Sequence, residues 1–104
     1  MEAGPIVREF REQAERLYGE RLKKSILYGS HARGEATEDS DVDVAVVLEG
    51  EVSAGAEIDR LVDIITDLNL KYGVLLSVYP VSCDDYANTK SPLLLNIRRE
   101  GVDV

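Results

Sequence analysis

Asp41 and Asp43 stand two residues apart in Asp41-Val42-Asp43-Val44-Ala45-Val46-Val47-Leu48, a run rich in β-branched residues. A strand alternates its side chains between faces, so both carboxylates leave one face with their backbones about 6–7 Å apart. Two oxygen donors at that separation can share a divalent cation. Mg2+ is held by one or two carboxylates, with water and substrate phosphates completing its octahedron, and the pair offers that geometry. Val42, Val44, Val46 and Leu48 fall on the other face. That side is wholly apolar, so the aspartates' side must be open, paired or metallated.

Ten residues separate Asp41 from Gly29-Ser30. A glycine lets backbone approach a phosphate closely, and the serine adds a hydroxyl beside turn amides that can donate to phosphate oxygens. Arg33 follows within one helical turn and can hold a phosphate through two donors. A phosphate clamp facing a metal clamp is what nucleotidyl transfer from a nucleoside triphosphate requires, because such catalysis is largely positioning and charge neutralisation. Taken singly, Gly-Ser after a strand reads as a turn and Asp-x-Asp on a strand as a solvated face. Their joint spacing carries the functional reading.

The elements that must position these groups are legible in the spacing of apolar residues. Pro5 opens a first helix whose stripe is Ile6, Phe10, Ala14 and Leu17, ending near Gly19. Lys24–Tyr28 reads as a short strand stopping at the Gly29-Ser30 turn, with a polar loop from His31 to Ser40. From Ala56 to Tyr72, Ile58, Leu61, Val62, Ile65, Leu68 and Tyr72 mark a second helix that Gly73 terminates. Val74–Val81 reads as another strand, which Pro80 assigns to an edge or a terminus, and Ser82–Lys90 as a loop. Ser91-Pro92 then caps a short helix running through Leu94 and Ile97 to Glu100, with Gly101 as its stop. Helix, strand, strand, helix, strand, helix is the order of an α/β or α+β domain with a small mixed sheet and helices on one face.

Composition narrows the function. The 104 residues suit one domain spanning 1–104, with 44% apolar and 31% charged residues. A net charge of −8 opposes direct binding of nucleic acid and favours a basic protein partner or a cation-bridged phosphate ligand. The lone cysteine, Cys83, has no internal disulfide partner and no zinc-ligand spacing around it, which suits a reducing compartment. The first residues lack a basic-then-apolar signal and no apolar run is long enough for a bilayer. The expectation is a cytoplasmic chain with no membrane association. His31, Glu35, Glu38 and Asp39 read as solvated loop residues and Tyr28 as core. Leu93-Leu94-Leu95 covers most of a short helix's circumference, leaving one leucine for solvent or a partner.

Gly29-Ser30-His31-Ala32-Arg33-Gly34-Glu35, the pair Ser40-Asp41, and Asp43 in a valine strand resemble the signature of the minimal nucleotidyltransferases, the MNT domains of the polymerase-β superfamily. The resemblance runs from the first helix to the last strand. It implies a polymerase-β-like nucleotidyltransferase fold that binds Mg2+ and ATP and is often paired with a HEPN-domain protein. In that class the MNT member is the antitoxin, and active members transfer AMP from ATP to a tyrosine of the HEPN toxin. By the same resemblance, Gly29 and Ser30, with Arg33, hold nucleotide phosphates, while Asp41 and Asp43 are the catalytic metal ligands. Active members carry a third carboxylate on a neighbouring strand as ligand and base. Strand order matches that place to Ser77, whose hydroxyl supplies neither ligand charge nor a base at pH 7. Asp84 and Asp85, beyond the strand, are the carboxylates left to reach in. Two expectations follow: a weak or partner-completed transferase, or an inactive scaffold that neutralises its partner by binding alone.

Overall fold

The computed structural model describes residues 3–104. Helix α1 spans Gly4–Tyr18, with its proline in the first turn, where a missing N–H costs nothing. Ile6, Phe10 and Ala14 face inward as expected, joined by Val7 and Tyr18. Leu17 is 44% exposed. The inward stripe steps from Ala14 by four residues to Tyr18 and passes Leu17 by. A 3-10 turn, Gly19–Arg21, leads into β1, Leu22–Tyr28, which starts two residues earlier than the apolar run suggested.

β1 pairs antiparallel with β2, Val42–Leu48. A crossover through α3, Ala54–Tyr72, returns the chain to β3, Leu76–Ser82, which therefore runs parallel to β2. Gly73 ends α3 with φ 65°, a conformation that suits glycine. β3 is an edge strand, which accommodates Pro80. The two-residue β4, Val102–Asp103, adds to the other edge beside β1, giving the order β3-β2-β1-β4. Nothing in the apolar pattern marked β4, because it gains its pairing only from a strand about 75 residues earlier.

The two long helices cover one face of the sheet. Val42, Val44, Val46, Leu48 and Leu27 meet Ile6, Phe10 and Ala14 of α1 and Leu61 and Leu68 of α3 in the main core. Burying the five strand residues and these helical partners supplies most of the apolar burial, at about 25 cal/mol per Å². A smaller cluster forms on the other face. There Ile26, Ala45, Val47 and Val81 are covered by Leu94 and Ile97 of α5, Pro92–Glu100. Ser91 Oγ accepts from the Leu94 N–H at 3.1 Å, the cap that its position predicted. Gly101 allows the chain to turn back, since a Cβ there would run into the Ile97 carbonyl and the Ile26 side chain.

Two local departures have clear physical causes. The expected loop after β3 opens with a helix, α4, Cys83–Asn88, because Ser82 Oγ accepts from the Asp85 N–H at 3.1 Å and caps it. Arg98 of α5 donates to the carbonyls of Tyr86 and Thr89, tying the two short helices together. Glu57 on α3 is only 5% exposed. The Tyr18 hydroxyl donates to its carboxylate at 3.0 Å, and Arg21 and Arg60 each approach it to 3.9 Å. A buried carboxylate with three partners satisfies the rule that a desolvated charge must be paired.

Candidate active site

The site lies at the end of the sheet where β1 stops and β2 starts. Gly29 follows β1 with φ 77° and ψ −154°, and a Cβ there would fall on an Asp43 carboxylate oxygen. Glycine is therefore required twice, by its backbone angle and by the carboxylate packed against it. The chain then makes one helical turn, α2, Ser30–Arg33, closed by Gly34 at φ 73°. The N–H groups of Ala32 and Arg33 return to the Gly29 carbonyl at 3.1 Å. The Gly-Ser turn and Asp43 are thus in contact.

Asp43 sits in β2 and is half-buried, whereas Asp41 precedes the strand and is exposed. A short loop holds Asp41 in place. The Ser40 hydroxyl accepts from the Thr37 N–H at 2.9 Å, and His31 Nε2 lies 3.4 Å from the Ser40 carbonyl. His31, expected as a solvent-facing loop residue, is half-buried and close enough for its charge to act on Asp43. Partial burial raises the Asp43 pKa above the ordinary aspartate value, and the neighbouring Asp41 charge raises it further. His31, Ser77 and Arg33 pull it the other way.

Parallel pairing places the exposed Ser77 directly beside Asp43, where it is one of the groups that lower the Asp43 pKa. Strand order had pointed to the same residue. Asp84 and Asp85 are elsewhere. They follow the far end of β3, where Ser82 pairs with Leu48, about 16 Å from Ser77 at about 3.3 Å per residue. There they line an acidic depression with Glu49, Glu51 and Cys83. The length of β3 separates them from Ser77, so they do not stand in for a carboxylate at that position. Among the described residues, no group of three or more His, Cys, Asp or Glu side chains is placed to hold a metal ion. The two aspartates fit a cation only when substrate oxygens and water complete its shell.

Arg33 has company that the sequence did not disclose. Its Nε lies 3.2 Å from Glu35 Oε2 and its Nη1 3.1 Å from Glu100 Oε1, at the end of α5. The expected phosphate ligand is held by two carboxylates. No local signal could have identified Glu100, which lies 67 residues away. Tyr28, read as core, is half-buried on the site face opposite Asp43. Burial, helped by the charge of Asp43, pushes its phenol up to about 12.

A glycine turn thus packs against Asp43 at one end of a mixed sheet, with Asp41 just before the same strand. The chain belongs to the nucleotidyltransferase domain family, whose sequence profile matches residues 7–96, and it has the minimal polymerase-β-like form. Two Methanocaldococcus jannaschii proteins, both provisionally named protein adenylyltransferases, are among its relatives. One is 39% identical over 84 residues, covering 81% of this chain and 77% of that protein. The other is 35% identical over 77 residues, covering 74% of this chain and 77% of that protein. The fold is shared with a toxin–antitoxin crystallised with AMP-PNP, at a TM-score of 0.63 and 16% identity, over 90% of this chain and 68% of that one. It is shared also with a provisionally named nucleotidyltransferase from Sulfolobus solfataricus, at a TM-score of 0.57 and 18% identity, over 96% of this chain and 82% of that one. Nucleotidyltransferases generally use a divalent metal. No helix among the described residues is long and apolar enough to cross a membrane.

Proposed function

We propose that the chain binds Mg2+–ATP between the Gly29-Ser30 turn and the Asp41/Asp43 pair and transfers AMP to a protein acceptor. We infer further that it is the antitoxin of a HEPN-domain toxin in the cytoplasm. The observation that carries the reading is the contact of Gly29 with the Asp43 carboxylate, which brings the backbone of the turn against the aspartate with no room for a Cβ. Gly29 and Ser30 would bind the triphosphate, with Arg33 released from Glu35 and Glu100 to join them. Asp41 and Asp43 would hold the cation, which supplies charge neutralisation of the phosphates. The adenylyltransferase designation of the relatives and the toxin–antitoxin fold neighbour support the acceptor and the partner.

A second reading rests on Ser77. With a hydroxyl beside Asp43 instead of a carboxylate, the chain can bind nucleotide and partner yet turn over slowly or not at all. One experiment separates the two. The chain, Mg2+, α-labelled ATP and the HEPN protein encoded beside it are combined, and wild type is compared with Asp43→Asn. Label reaching the partner only with wild type establishes the transferase. A tight but unlabelled complex with both variants establishes the binding antitoxin.

A further inference from the structure

We propose that Ser77 is itself a nucleotide acceptor, so that the chain nucleotidylates its own Ser77 hydroxyl from a nucleoside triphosphate. The inference rests on the nucleotide-binding reading above and goes beyond it by naming a second acceptor.

The strand order sets the parts in a row. The phosphate turn leaves the end of β1, Asp43 stands on β2 and Ser77 on β3 in register with it. Neighbouring strands lie about 4.8 Å apart, so the Ser77 backbone is about 10 Å from that of the turn, with Asp43 between them. A nucleotide whose outer phosphates rest on Gly29-Ser30 would set its α-phosphorus toward Asp43, with Ser77 on the side away from the leaving pyrophosphate. That is the side from which an in-line attack must come. β3 is the edge strand and Ser77 is exposed, so no further strand shields the hydroxyl.

Several other hydroxyls compete poorly. Ser40 is engaged by the Thr37 N–H, and Ser82 and Ser91 cap α4 and α5. Ser25 is buried, and Tyr28 is half-buried. Ser77 combines exposure with proximity to Asp43. In the transfer, Ser77 Oγ attacks the α-phosphorus and an ester bond forms. The bond from that phosphorus to the bridging oxygen breaks, pyrophosphate leaves with the electron pair, and the hydroxyl proton passes to water.

The test uses the intact chain alone with Mg2+ and ATP labelled at either the α or the γ position. The expected result is α label without γ label, a mass gain of one AMP less one water, and a modified peptide containing Ser77. Ser77→Ala should remove the label. A wild-type chain that binds ATP by calorimetry yet remains unmodified, or is modified at Tyr28 or another residue, overturns the inference and leaves nucleotide binding standing. A chain that binds no ATP overturns both.

Discussion

Asp43 combines its proposed role in the site with a cost to the fold. Its folded-state pKa is raised, so the folded chain holds the Asp43 proton more tightly than the unfolded chain does. Stability is therefore lost as pH rises through the unfolded and then the folded pKa, and the full penalty is present at neutral pH. The metal-free Asp43→Asn variant should melt above wild type at pH 7. The gap should close below the ordinary aspartate range, which differential scanning calorimetry across pH will read. Added divalent cation should reverse the order, since only wild type offers the pair. Arg33 makes a second prediction at this scale. Its pairs with Glu35 and Glu100 are partly exposed, and such pairs are worth up to about 1 kcal/mol, so a triphosphate can displace them. Glu100→Gln should tighten ATP binding by up to about fivefold at low salt, measured calorimetrically. Unchanged affinity would mean that Arg33 does not serve the phosphates.

At the scale of elements, α1 and α3 meet not only through apolar residues but through Tyr18 and Glu57. The Tyr18 hydroxyl donates to a nearly buried carboxylate. Tyr18→Phe leaves that carboxylate with two distant arginines, and should cost about 1–2 kcal/mol. A lowered urea midpoint at constant slope would check it. The sequence stripe predicted α3 but did not mark Glu57, because helical periodicity cannot say which neighbour will fold over a given turn. The same limit hid α4. Its cap residue, Ser82, was visible, but no long apolar pattern accompanies six residues that are held partly by Arg98. The long helices and the valine strand were legible because their signals repeat over several turns or pleats.

For the whole molecule, charge and exposed leucines bear on the proposed partner. Leu94 is 2% exposed and anchors α5, while Leu93 and Leu95 are 40% and 47% exposed. Two leucines of the run face outward, rather than the single one expected, because the helix turns only Leu94 toward the sheet. If this face meets the partner, Leu93→Ser with Leu95→Ser should weaken the complex by at least about tenfold while leaving ATP binding unchanged, as read by titration of each ligand. A chain of net charge −8 should also associate with a basic partner at a rate that falls as salt rises. A salt-independent rate would remove charge steering from the account.

The sequence by itself determined the local chemistry. Glycine and serine after one strand, an aspartate on the next with a second just before it, and two amphipathic helices all follow from spacings of a few residues, which backbone geometry turns into local structure. Tertiary structure alone decided which distant groups meet. Parallel pairing of β3 with β2 set Ser77 against Asp43 and carried Asp84 and Asp85 to the opposite end of the sheet. The fold of α5 over the second face brought Glu100 to Arg33. Register and crossover depend on the joint burial of segments far apart in the chain, and no short window of sequence contains that information.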